Sequence, residues 1–329
     1  MSKSKNINIA DSSELDDLFI QNKKNNEYLS IILGVSSQLI WALYPIQLKT
    51  YEKLFPENFS NNSLIFWRSL PIWILGYIIC KQRQVRIKPF SEIKNKFWFI
   101  IINLGNYIII YLLIQILKYL RVFTAQAISE CCPILFFFLS IPILNGNFSN
   151  RYIFGAIICL FGSGIIIMNE SSLEDKKTKL NNNFSTGIYL IFCHLVLSSL
   201  HKVGQKILCL EELSSEEQNY YFGMSATLPA LIFCIIESNF GIGNVLYILY
   251  AISNGLCIFL GDYIFIKALN NLPDTKTKFI SYLYILFIFI LSFILLKEKI
   301  FISDPFGAGL IIGFQLYNEY YPPFKKKGM

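Results

Sequence analysis

One carboxylate stands out among the apolar stretches of this 329-residue chain: Glu130, in a run where Gln126, Glu130, Pro133, Phe137 and Ser140 follow at spacings of 4, 3, 4 and 3. In a helix that spacing places all five on one stripe. A carboxylate there could bind a proton or the cationic group of a solute; a folding pair with Arg68 or Lys118 is the alternative. A second stripe carries His194, Ser198, His201 and Gln205. His194 could pass a proton or donate to an anion, or bond to a neighbouring helix, and His201, beside Lys202, reads as a solvated helix end. Asn103, Tyr107, Tyr111 and Gln115 recur every fourth residue, and such amides supply both donors and acceptors. Asn254 and Asp262 share another run, in which Asp262 could pair with a lysine or bind a proton. Trp41, Tyr44, Tyr282 and Tyr284 could stack on a planar or cationic group, or pack against lipid. Pro45 and Pro133 fall inside apolar runs, where a freed carbonyl and a kink could form a gate.

Motifs of covalent or metal chemistry are missing from the sequence. It contains no HExxH, GxSxG, GxGxxG or P-loop, and no paired Asp-rich motif for magnesium. The two histidines lie seven residues apart on one run, and the eight cysteines (80, 131, 132, 159, 193, 209, 234 and 257) include no CxxC pair. They read as reduced packing residues. No metal and no cofactor is implied.

The elements that must position these side chains are set by composition. Apolar residues make up 54% of the chain and charged ones 16%, and mean hydropathy is +0.47. An ordinary soluble domain carries about 25% charged residues, so the expectation is an all-α integral membrane protein. Ten runs are long enough to span a bilayer as helices. The first five are 28–48, 63–80, 97–117, 122–144 and 152–168; the second five are 187–208, 220–236, 246–266, 279–296 and 301–316. The net charge of +7 resides mostly in the connections, with no basic stripe on a polar domain, so nucleic acid is not expected as a partner. With the N-terminus inside, nineteen Lys and Arg fall on the inner side and nine on the outer, with Arg68 inside a span. Positive charge is retained in short cytoplasmic loops, so both termini are expected in the cytoplasm.

Self-similarity recurs at an offset of 152. Phe154-Gly155-Ala156 returns as Phe306-Gly307-Ala308, Ile128-Ser129 as Ile280-Ser281, and Ser140 as Ser292. Five spans per copy, an odd number, require the second copy to lie upside down, a 5+5 inverted-topology repeat. Such repeats place a binding site near the bilayer midplane and permit alternating access. The expected cavity is lined by the first, third, fourth, sixth, eighth and ninth helices. Gly155, Gly162, Gly164, Gly307, Gly309 and Gly313 are expected to let the fifth and tenth helices pack closely.

These residues carry a family resemblance. Gly34 followed by Trp41-Ala42-Leu43-Tyr44-Pro45 and Lys49, Phe66-Trp67-Arg68-Ser69, Leu117-Lys118-Tyr119-Leu120, and Ala127-Ile128-Ser129 with Pro133 resemble the ten-helix EamA type of the drug/metabolite transporter superfamily, including its RarD-like branch. Leu295-Leu296-Lys297-Glu298-Lys299 resembles that family's helix end. Two departures are Gly146, where the first half would match Glu298, and Ile285, where the ninth helix of the family has proline.

The resemblance covers residues 28 to 318 and implies a permease or exporter of a small polar metabolite, such as an amino acid, a nucleotide-linked or an adenosyl compound, and not an enzyme. The expected partners are that small-molecule substrate and the lipid bilayer; proton coupling and a homodimer stay open. The organisation expected is a polar cytoplasmic tail (1–27), repeat 1 (28–168), an outer linker (169–186), repeat 2 (187–318) and a basic tail (319–329). Two rivals remain: a polytopic membrane enzyme using intramembrane His and Glu, and a non-transporting scaffold. A bacterial inner membrane is the expected location, with a eukaryotic endomembrane as the alternative.

Overall fold

Each apolar run becomes a helix because hydrocarbon leaves backbone amides no other partner. A computed structural model describes residues 12–55, 60–132, 134–136, 138–139, 150–174, 181–211, 213–269, 272 and 274–320. Among them, the helices are α1 (Ser12–Leu54), α2 (Asn61–Gln82), α3 (Lys96–Tyr119), α4 (Val122–Ser129) and α5 (Asn150–Glu174). The second half gives α6 (Asn181–Glu211), α7 (Ser215–Ile236), α8 (Val245–Leu269), α9 (Asp274–Leu296) and α10 (Ser303–Tyr320). Seven of these are long and apolar enough to cross a bilayer, and α4 and α9 lie in shorter apolar helices. The protein is an integral, multi-pass membrane protein. Its outward faces carry exposed Leu104, Phe161, Phe192, Ile236, Leu249 and Phe293, the surface expected against lipid.

Three boundaries differ from the sequence reading. Helix α1 starts at Ser12, inside the stretch expected as a tail, because the intervening Leu, Gln, Lys and Glu are good helix formers that extend a helix once it has started. Helices α5 and α6 run into the expected linker 169–186, and Asn169 and Glu170 there make tertiary hydrogen bonds. The fourth span, expected as one helix to residue 144, is interrupted. Its helix ends at Ser129, Glu130 is the C-cap, and Cys131 N–H turns back to Ile128 carbonyl at 2.9 Å before helix resumes at Cys132. Pro133 lies outside the described residues; a proline there has no N–H to offer the Ser129 carbonyl.

The most extensive helix contacts all join the two halves: α2 with α7, α1 with α8, α3 with α6, α5 with α10 and α1 with α9. Exchanging α1–α5 for α6–α10 turns the α1–α8 contact into α6–α3 and leaves α2–α7 and α5–α10 unchanged. That is the contact pattern of a two-fold related repeat. At the α5–α10 crossing, Cys159 Sγ lies 3.9 Å from the carbonyl of Ile311, its own counterpart 152 residues on, as equivalent positions do near such an axis. Gly162 and Gly307 meet there: a Cβ on either would stand 2.7 Å from the other's carbonyl oxygen.

Candidate functional site

A cavity of about 650 Å³ lies between the halves, within the range of small-molecule sites. All six helices expected from the sequence contribute to its wall, and α2 and α7 join them. Helix α1 supplies Trp41 and Tyr44, α4 supplies Gln126 and Glu130, α6 supplies Ser198, and α8 supplies Asp262. These six were expected from sequence, and the fold brings them together. Arg68, Asn106, His201, Lys202 and Tyr284 line it as well.

Other expected residues stand elsewhere. Asn103 donates to the Phe99 carbonyl at 2.7 Å and lines a separate, water-sized hollow of about 30 Å³ between α3, α6 and α7. Tyr107 donates to Asn62 Oδ1, near the opposite end of α2 from Gln82. His194 is buried, with Nδ1 lacking a partner within the protein, and it is not part of the cavity wall. Asn254 donates to the Tyr44 carbonyl at 3.1 Å and to Gln47 Oε1 at 3.0 Å, which braces α1 beside Pro45 from behind the wall. Tyr282 is absent from the wall, and Tyr284 takes the aromatic place on α9; its hydroxyl donates to Gln126 Oε1 at 3.0 Å. Positions i and i+2 on a helix are about 200° apart, so only one of these tyrosines can face inward.

The clearest signal that spacing alone missed is Arg68. Its side chain is 2% exposed, its guanidinium carbon sits 4.5 Å from the centre of the Tyr44 ring, and Nε and Nη1 have no hydrogen-bond partner within the protein. A lone arginine in a span could have flagged it. Gly255 makes room: a Cβ there would fall 1.9 Å from the Arg68 carbonyl oxygen, so α2 and α8 touch at this level. Gln126 Nε2, Ser198 Oγ and His201 Nε2 are likewise buried without partners in the protein, so the wall offers several free donors and acceptors.

The two ends of the bundle differ. Toward the end where α1 begins and α2 finishes, the cavity wall includes Lys202, Gln205, Gln218 and Asn219. At the other end the helices are tied. Tyr51 and Tyr247 are fully buried with ring centres 4.8 Å apart, and Phe55 meets Tyr247 edge-on at 5.9 Å. Lys49 donates to the Leu117 carbonyl. Arg121 pairs with Glu170, donates at 3.0 Å to Asp304 Oδ2, and donates at 2.5 Å to the Lys299 carbonyl. Glu298 accepts from the Val122 N–H at 2.8 Å and thereby caps α4. Burial pushes the Glu298 carboxyl above its usual range, while the amides of Val122 and Phe123 and the charges of Lys49 and Arg121 pull it back. Four helices, α4, α5, α9 and α10, are joined by this polar cluster.

Comparison with known proteins places this geometry. The sequence model of the EamA-like transporter family matches residues 28–168 and 185–316. Two proteins of Helicobacter pylori, one from each of two strains and each described as an uncharacterized transporter, are 22% and 23% identical over 178 residues, which is 54% of this chain. The chain spans 59% of the length of those curated relatives. A crystal structure superposes with a TM-score of 0.55 at 11% identity, covering 91% of this chain and 99% of the other, a likeness of fold.

Proposed function

Because the chain belongs to the EamA-like transporter family, we propose that it is a secondary carrier that moves a small polar metabolite, such as an amino acid, a nucleotide-linked or an adenosyl compound, by alternating access. The observation that carries this reading is the cavity walled by both halves of the repeat, reached from one end and sealed at the other. That is the arrangement of a carrier caught facing one side. The Lys and Arg distribution puts both termini in the cytoplasm, so the cavity faces the cytoplasm and the Arg121 cluster closes the outer side. Residues 28–168 and 187–318 act as the two repeats that rock against each other, and the membrane is a bacterial cell membrane. Glu130, at the break in the fourth span, is the charge-recognising residue and, with Asp262, the candidate for proton coupling.

The test is solute counterflow in vesicles reconstituted with purified protein, run with amino acids, nucleotide sugars and adenosyl compounds. Exchange of one class is expected, and Glu130→Gln should lower it at least tenfold while the protein still inserts and elutes as a folded species. Unchanged exchange kinetics in the variant would remove Glu130 from the mechanism. Silence across all classes with folded protein would overturn the carrier reading itself.

A further inference from the structure

We propose that Arg68 and Tyr44 form an anion subsite in this cavity, built to take the carboxylate of a zwitterionic, amino-acid-type solute; the inference rests on the carrier reading. A buried guanidinium with free N–H groups is destabilising unless something neutralises it. None of the ion pairs seen among the described residues includes Arg68. Asp262 lines the same cavity yet lies beyond ion-pair distance from it. The charge is therefore held for something that enters.

The chemistry of the fork narrows what that is. Tyr44 covers one face of the guanidinium at 4.5 Å, which leaves the in-plane N–H groups open, and Nε and Nη1 are the two without partners. Each flanks Nη2, on opposite sides, so a planar carboxylate can accept from Nη2 and either one of them at once. The contact of α2 with α8 at Gly255 fixes the depth of Arg68, so the donors are positioned before the solute arrives. The rest of the wall argues for a second, opposite charge on the same molecule. Besides the cations Arg68 and Lys202 it carries the carboxyl groups of Glu130 and Asp262, a balance that suits a solute with one charge of each sign better than a dianionic phosphate. Trp41, Phe222 and Phe265 offer an apolar surface for its side chain.

The experiment measures thermal stabilisation of the detergent-purified, full-length protein by leucine and phenylalanine, each beside its methyl ester and its decarboxylated amine. The expected result is that at least one amino acid binds ten times or more tightly than its ester. In Arg68→Gln that preference should fall to about one, and Arg68→Lys, which keeps the charge and loses the fork, should lie between. Equal affinity for acid and ester in the unsubstituted protein would overturn the proposal without recourse to any variant that fails to fold. An Arg68→Gln protein that keeps the full preference would overturn it too, as would stabilisation by none of the six compounds. The vesicle counterflow panel separates the two failures: exchange of phosphorylated or nucleotide-linked solutes with no response to amino acids sinks the subsite and leaves the carrier, whereas no exchange sinks both.

Discussion

Single residues carry most of what distinguishes this cavity, and they differ in how visible they are in the sequence. Gln126, Glu130 and Ser198 could be read from spacing alone, because polar groups at helical intervals in an apolar run share a face, and that face is where a bundle keeps polar atoms. Arg68 was visible as an intramembrane cation, but spacing pairs it with nothing; its role depends on Tyr44 from another helix lying across it. Asn254 and Tyr107 were equally legible as polar and in mid-run, yet both spend their hydrogen bonds on neighbouring helices, a choice made by packing between segments far apart in sequence. Lys297 shows a residue-scale conflict of another kind. It sits at φ 53° where α9 ends, with Glu298 N–H returning to the Ser292 carbonyl at 3.2 Å. A left-handed conformation disfavours a residue with a Cβ by about 1 kcal/mol. Lys297→Gly should therefore raise the melting temperature by a few degrees, measured by tryptophan fluorescence in detergent, and a drop would mean the lysine side chain matters more than the backbone.

Elements obey the repeat until one residue type breaks it. The positions equivalent to Pro133 and Ile285 are 152 apart, and the two helices behave as their residues dictate: the fourth span is interrupted after Ser129, whereas α9 runs unbroken from Asp274 to Leu296. The ten helices and their order were legible because apolar runs of this length have one structural solution in lipid. The interruption at Glu130 was not, since a proline can either kink a helix or end it, and the outcome depends on which neighbours accept the freed carbonyl. Ile285 is 3% exposed, so Ile285→Pro should break α9 from the inside and lower stability by about 3 kcal/mol or more. The readout is loss of a cooperative melt or of the monodisperse peak in size-exclusion chromatography; a variant that melts like the parent would show that α9 tolerates the same break as its counterpart.

At the scale of the whole molecule the two halves are alike in helix pairing and unlike in their polar ties. Arg121, Glu298 and Asp304 join α4, α5, α9 and α10 at the sealed end. Their counterparts in the sequence, Pro273, Gly146 and Tyr152, carry no charge. Under the alternating access proposed above, the inverted repeat is asymmetric in free energy: opening the sealed end would separate a buried arginine from two carboxylates, and closing the other end would have no matching gain from these positions. A solute can shift such an equilibrium only by as much as it favours one state over the other. Arg121→Met would leave Glu170 and Asp304 buried without their cation, a loss of about 3–5 kcal/mol from the sealed state. A cysteine placed at fully buried Tyr247 should then react faster with an impermeant maleimide in Arg121→Met than in the parent. An unchanged labelling rate would show that the Arg121 cluster is not what keeps that end shut.

The interruption of the fourth span also has an electrical meaning. An α-helix of eight residues, Val122–Ser129, presents a partial positive charge at its start and a partial negative one at its end, each about half an elementary charge. Its start is already answered by the Glu298 carboxylate. Its end falls beside Glu130 at the cavity, where the helical segment that resumes at Cys132 sets its own partial positive start against it. The two helix ends oppose each other at the break, so the charge a solute meets from this stretch of the wall is chiefly that of the Glu130 carboxylate, in the same cavity as the α2 guanidinium.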